Sequence, residues 1–296
     1  MSDILTLFSA PKPFSDPHIN VIQRNAIRSW TCLPNTKIIL FGNEPGIAEV
    51  AQELGVTHIK ELPRSPSGAP LMDSMFRFAR EASNTPLYCI VNADIILFPD
   101  FTDIAAGVAK KTERFVLMGQ RWDLTVTDLI DFSPTWVAEQ KERITQEGTL
   151  HKAVGSDYFL FPEACYKDLP AFTIGRAGWD NWMIYSARKN GFPAIDCTKD
   201  ITIIHQNHDY SHLPGAKPHY DHPETLTNIA LAGGRVTTRF TLFDANKQLE
   251  NGQIKNKGLS RRSIWRAIES FPFLFLGSEK LSNYLWVIGK KLGLNQ

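Results

Sequence analysis

The run Tyr88-Cys89-Ile90-Val91-Asn92-Ala93-Asp94-Ile95-Ile96-Leu97-Phe98 sets the tightest limit on the fold. It opens apolar, meets two polar side chains and becomes apolar again. A run this rich in Ile, Val and Tyr reads as a strand buried on both faces, the kind found in α/β proteins. Asn92 and Asp94 fall where that strand should emerge, and open parallel sheets bind ligands at such ends. Two apart on extended backbone, they share a side and would face one ligand. The same residues also fit a polar turn between two strands.

A chain of 296 residues buries a substantial core, either as one large α/β domain or as a domain with an appendage. Lys and Arg number 32 against 31 Asp and Glu, far from the basic field that holds a nucleic-acid backbone. Nucleic acid is therefore excluded as a partner, whereas a small phosphorylated ligand is not. Cys32, Cys89, Cys165 and Cys197 form no CxxC pair, and Cys89 reads as a small buried hydrophobe. The Met-Ser-Asp start lacks the pattern of a signal peptide, and no apolar run reaches transmembrane length. These features predict a cytoplasmic protein in a reducing compartment.

Along the chain, Ile4–Phe8, Lys37–Phe41 and Val56–Ile59 read as strands, separated by helices over Pro17–Trp30 and Ile47–Leu54, the latter stopped by Gly55. A further helix is expected over Pro70–Ala82. Alternation of this kind favours a layered α/β domain over a sandwich. Between the first strand and helix, Ser9-Ala10-Pro11-Lys12-Pro13-Phe14 is a loop stiffened by two prolines, suited to presenting backbone groups. Later strands are expected at Phe115–Gln120, Tyr158–Pro162, Ala194–Asp196, Ile201–Ile204 and Thr237–Asp244, with a turn or hairpin over Asn246–Lys257. Helices are expected over Asp100–Val108, Thr135–Gly148, Trp179–Lys189 and Glu224–Ala232. Arg121-Trp122-Asp123 reads as a loop with one surface ion pair. A last amphipathic helix places Leu281, Tyr284, Leu285, Ile288 and Leu292 on one side, suited to docking on the domain or to a membrane surface.

Asn92-Ala93-Asp94, Gly155-Ser156-Asp157, Gly178-Trp179-Asp180 and His205, in that order, resemble the motifs of nucleotide-sugar-dependent glycosyltransferases of the GT-A type. The resemblance runs from about Ile4 to His212. It implies a single α/β domain with a mostly parallel central sheet over 1–257, divided into a nucleotide-donor half (1–125) and an acceptor half (126–257). Residues 258–296 are left as an amphipathic helical C-terminal extension.

The family's metal signature is Asp-x-Asp, and here its first position is Asn92. The resemblance implies that Asp94 contacts Mn²⁺ or Mg²⁺, with Asn92 on the ribose or a metal-bound water. The missing first carboxylate leaves metal-independent transfer as an alternative. A late His joins the metal in several such enzymes: His205 is the first match and His208 the alternative, their spacing admitting one of them. Inverting members use a carboxylate as general base. Asp180 matches that position, with an N-cap role as the competing account and Asp157 as the substitute base. By the same resemblance, Ser9, Ala10, Pro11 and Asn43 lie where the nucleotide is held, with Arg64 and Asp73 as further donor-side candidates. Trp122, Trp179 and Trp182 are candidates for stacking on acceptor sugars.

The implied activity is transfer of a sugar from a nucleoside diphosphate donor, UDP-linked by default, to a carbohydrate or glycolipid acceptor, with inversion. Two other readings compete: a sugar nucleotidyltransferase, disfavoured by the absence of a Gly-rich phosphate loop, and a noncatalytic carbohydrate- or nucleotide-sugar-binding protein. Cationic residues in the 261–292 segment extend the expected location to the inner face of a membrane.

Overall fold

A computed structural model describes residues 2–208, 222–258 and 260–294. The first half of the chain runs β1 (Leu5–Ser9), α1 (Pro17–Thr31), β2 (Thr36–Phe41), α2 (Ile47–Leu54), β3 (Thr57–Ile59), α3 (Met72–Glu81), β4 (Leu87–Val91), β5 (Ile95–Leu97) and α4 (Phe101–Ala109). It continues through β6 (Val116–Met118), β7 (Trp122–Leu124), α5 (Trp136–Glu147), β8 (Thr149–Leu150), β9 (Tyr158–Pro162), α6 (Trp179–Lys189), β10 (Ala194–Asp196) and β11 (Ile203–Gln206). After α7 (Pro223–Leu231) come β12 (Lys247–Glu250), β13 (Gln253–Asn256), α8 (Arg261–Leu276) and α9 (Glu279–Lys291).

The described strands form a nine-stranded sheet in the order β13-β12-β10-β6-β9-β4-β1-β2-β3 and a four-stranded sheet in the order β5-β11-β7-β8. Pairing in the large sheet is parallel except where β9 lies between β4 and β6 and where β13 closes the edge. Strand periodicity divides its two faces. Leu5 and Leu7 of β1 face the layer of α1, α2 and α4, whereas Phe8 faces the layer of α3 and α6. Both layers are closed by fully buried aromatics such as Trp30 and Phe161, each contributing roughly 1.5–3 kcal/mol by burial. A third cluster, including Ile96, Leu124, Ile204 and Trp136, seals the small sheet against α5. That helix is therefore a packing element of the second sheet.

Local chemistry explains several boundaries. Asp16 caps α1 by accepting from the Ile19 amide at 2.9 Å, with Pro17 in the first turn where its missing N–H is harmless. Asn251-Gly252 at the β12–β13 turn takes positive φ at both positions, as a two-residue hairpin of that twist requires.

Of the two accounts of Tyr88–Phe98, the turn between two strands holds: β4 belongs to the large sheet and β5 to the small one, and Asn92-Ala93-Asp94 turns the chain between them. Two expectations are corrected. Thr237–Asp244 is not a strand. It forms two 3-10 turns, Thr237–Arg239 and Leu242–Asp244, because Thr241 and Asp244 close a reciprocal capping box. Arg121-Trp122-Asp123 is not a plain loop, since β7 starts at Trp122 and pairs parallel with β11. No helix among the described residues is long and apolar enough to cross a membrane.

Candidate functional site

The polar turn after β4 is held from below by α1. Trp30 donates its indole N–H to the Ile95 carbonyl at 2.9 Å, and Ser29 Oγ accepts from the Leu97 amide at 3.1 Å. Gln206, fully buried, donates to the carbonyls of Ile22 and Asp94 at 2.7 and 3.1 Å and accepts from Asn25 at 3.1 Å. Every one of these backbone groups is thereby satisfied where solvent cannot reach, and the Asp94 backbone has little freedom left.

Asp94, His205 and His208 each offer one ligand atom, and these atoms lie within 4.8 Å of one another. His208 Nε2 is 3.1 Å from Asp94 Oδ2, whereas the buried Asp94 Oδ1 has no hydrogen-bond partner. An oxygen buried without a donor costs about 1–3 kcal/mol, more if charged, unless something else meets it. One carboxylate and two imidazoles suit Mn²⁺ better than Mg²⁺, which prefers all-oxygen shells. The residues therefore fit a divalent cation. Strand geometry alone would send residues 205 and 208 to opposite faces, which is why the spacing argues for one histidine. The chain leaves β11 at Gln206, so both reach Asp94.

Asp123 stands directly opposite His205 in the β7–β11 register. Its Oδ1 lies 3.0 Å from His205 Nδ1 and accepts from Arg121 Nε at 2.9 Å, and its Oδ2 lies 2.8 Å from His151 Nδ1. With Nδ1 occupied, His205 keeps Nε2 for a ligand. Burial pushes the Asp123 carboxyl up, but the hydrogen bonds with His205 and His151 and the charge of Arg121 hold it well below the usual range. Burial likewise acts upward on Asp94, outweighed by the His208 hydrogen bond and by His205 and Lys12. The Lys12 ammonium, 3.5 Å from His208 Nε2, is lowered by burial against the pull of Asp94.

These groups open into a cavity of about 440 Å³. Ser9, Ala10, Pro11, Asn92, Asp94, Asp157, His205 and His208 line it, joined by Lys12, Glu44, Arg121 and Arg176. Ser9 turns its hydroxyl onto the Val91 carbonyl at 2.7 Å. Asn43 is exposed just past β2, and Arg64 reaches the site only through Glu44 at 2.6 Å. Asp73 lines a separate hollow with Arg77 and Arg80. Trp179 is buried edge-on against Phe159, and Trp182 packs edge-on against Phe172, so these rings serve the core. Trp122 lies half-buried against the third cluster.

The two candidate bases differ in their surroundings. Asp157 accepts from Arg121 Nη1 through both oxygens, at 2.7 and 2.9 Å, and from Asn92 Nδ2 at 3.0 Å. Asp180 is the second residue of α6, behind Gly178 at φ +107°, where a Cβ would also press on Thr238 Cγ2 at 3.3 Å. Burial, with help from Asp157, pushes the Asp180 carboxyl up against the backbone amides that favour its charge. Asp180 does not line the cavity itself; Ile174, Gly175 and Arg176 are the lining residues nearest to it in sequence. Arg176 is fixed there by Glu224 at 3.0 Å. Asp209 to His212 of the late polar stretch lie outside the described residues.

Arg121, Asp123, His151 and Arg176 escape a local reading, for their roles come from strand pairing and loop closure across long separations. Lys12 is the exception, since it sits within the proline-stiffened loop.

No family model and no curated protein sequence matches the chain. Among solved structures, it is similar to TarS residues 1–349 of S. aureus, with 11% identity and a TM-score of 0.40, over 64% of this chain and 56% of that one. The chain thus spans little more than half of that structure. It is also similar to a mycobacterial protein, with 13% identity and a TM-score of 0.43, over 70% of this chain and 68% of that one. The mannosyltransferase PcManGT from Pyrobaculum calidifontis, solved with GDP-Man and Mn²⁺, aligns over 98% of this chain and 76% of its own at 8% identity, with a TM-score of 0.50. At that identity the likeness is one of architecture: the chain has a GT-A-like fold, a mostly parallel sheet flanked by helices.

Proposed function

We propose that the protein is a glycosyltransferase that moves a sugar from a nucleoside diphosphate donor to a carbohydrate or glycolipid acceptor. The observation that carries this is the convergence of Asp94, His205 and His208 on one floor of the cavity, with Asp94 Oδ1 buried and unpartnered. The GT-A-like fold supports it. The three residues would hold Mn²⁺ or Mg²⁺, whose charge offsets that of a departing nucleoside diphosphate.

The chain's own residues do the rest. The Ser9–Lys12 loop, stiff and rigidly paired to Gln23 through the Lys12 backbone at 2.7 and 2.9 Å, walls the nucleotide side. Lys12 and Arg176 bring fixed cations to the same space, where diphosphate oxygens need donors. Asn92 and Arg121 hold Asp157 in place. With its oxygens engaged by those donors, Asp157 acts as a clamp on the cavity wall. Asp180, raised by burial, is the proposed general base; because it lies outside the cavity lining, the acceptor hydroxyl has to come to it past residues 174–176 to give up its proton while attacking the anomeric carbon. Inversion is the outcome a base on the side opposite the nucleotide would give.

A turnover assay across UDP- and GDP-linked sugars, with and without Mn²⁺, tests the reading; the GDP arm is motivated by the GDP-Man held by the mannosyltransferase of like fold. The parent should release nucleoside diphosphate, Asp94→Ala should lose the metal-dependent part, and Asp180→Asn should bind nucleotide without turning over. Nucleotide binding with no turnover in the parent would instead favour the noncatalytic reading.

A further inference from the structure

We propose that the α8–α9 hairpin seats the protein on an anionic lipid bilayer, lying in the plane of its surface. Ile264, Ile268, Phe271 and Phe275 recur at the helical period along one side of α8 and are 44–63% exposed. Leu281, Tyr284 and Val287 of α9 stand out in the same way, at 44–64%. The other sides of the helices are already used. Arg266 is buried between Asp244 and Glu269, and α9 packs through Ser282, whose hydroxyl donates to the Glu269 carbonyl at 2.8 Å. The outer stripes are therefore what remains after the hairpin has docked.

Charge identifies the occupant. The segment from Arg261 to Lys291 carries six Lys and Arg against two Asp and Glu, whereas the rest of the chain carries 26 against 29. Arg261, Lys280, Lys290 and Lys291 of this segment are exposed, with Glu279 as the one exposed carboxylate. Apolar side chains flanked by cations match the boundary between anionic headgroups and acyl chains. A second copy of the same face would bring like charges together. The helices are too short and polar to cross a membrane, so the contact is in-plane. Trp286 of α9 shares a groove of about 410 Å³ with Gly178 and Asn181 at the start of α6; if Asp180 serves the acceptor, that side adjoins the bilayer. The surface assignment itself does not rest on the reaction.

The test is co-sedimentation of the full chain with phosphatidylcholine vesicles, with and without phosphatidylglycerol. The parent should partition onto the anionic vesicles and be released by salt. Ile268→Glu combined with Phe271→Glu should lower the partition at least about tenfold. Converting Lys280, Lys290 and Lys291 to Gln should cost about fivefold per cation at low salt, and these exposed positions carry the test should the apolar pair disturb folding. A parent that stays in the supernatant, or lysine variants that bind as the parent does, would overturn the proposal. So would a parent that runs as a dimer split by the same substitutions, since the face would then be a subunit contact.

Discussion

Asp123→Asn separates support of the metal ligands from the ligands themselves. The side chain keeps its size and one acceptor oxygen, but loses its charge and the second acceptor. In the parent the two carboxylate oxygens hold His205 at 3.0 Å, Arg121 at 2.9 Å and His151 at 2.8 Å. An amide satisfies at most one of those histidines and turns a donor toward the other. Loss of such an outer partner lowers metal affinity about 10- to 100-fold, equivalent to about 1.4–2.8 kcal/mol. The assay is titration of the purified protein with Mn²⁺, following free ion by electron paramagnetic resonance, with no donor sugar present. His205→Ala should weaken binding by itself, and adding Asp123→Asn to that variant should change little more, because Asp123 acts through His205. An unchanged Mn²⁺ affinity in Asp123→Asn, or full additivity with His205→Ala, would refute the reasoning.

Asp180→Asn should lower kcat by roughly 10²- to 10⁴-fold, the usual share of general base catalysis, with nucleotide affinity unchanged by calorimetry. Arg266→Ala leaves Asp244 and Glu269 buried without their cation and should destabilise the fold by about 3–5 kcal/mol, read as a lower urea midpoint at constant slope. Glu224 responds to pH: burial raises its carboxyl, but Ser65, Ser67 and Arg176 outweigh that and bring it down to about 2 from 4.5. Its contribution to stability is therefore complete above the unfolded value and lost as pH falls from about 4.5 toward 2, so Glu224→Gln should flatten that part of the acid melting curve.

Much of the scaffold was legible because its signals are local. The helix α2 begins and ends where its apolar spacing and Gly55 say it should, and Gly55 takes the left-handed conformation such a stop requires. Buried runs such as Tyr158–Pro162 declare themselves by composition. Within the helical extension expected over 258–296, α8 had no bounds of its own, because Pro272 sits inside it although proline ordinarily marks an end. The last turns near Thr241 were misread as strand because their apolar content reflects burial under α8, while the capping box that shapes them needs only two polar side chains.

The site divides along the same line, and the division has a structural cause. The chain passes from the large sheet to the small one at Asn92-Ala93-Asp94, so the cluster sits on the seam between two sheets. From the near side, the seam looks like a polar interruption of an apolar run, which is visible in sequence. From the far side it is built by β7, β8 and β11, strands of two to four residues whose partners lie up to about 110 residues away. Strands that short carry no periodicity, and the pairing energy that selects them exists only once both partners are present. Asp123 therefore reads as a loop carboxylate until β11 is laid beside it, whereupon the register alone sets it opposite His205. A site assembled at such a seam draws its ligands from residues that sequence exposes and their orientation from residues that only topology brings near.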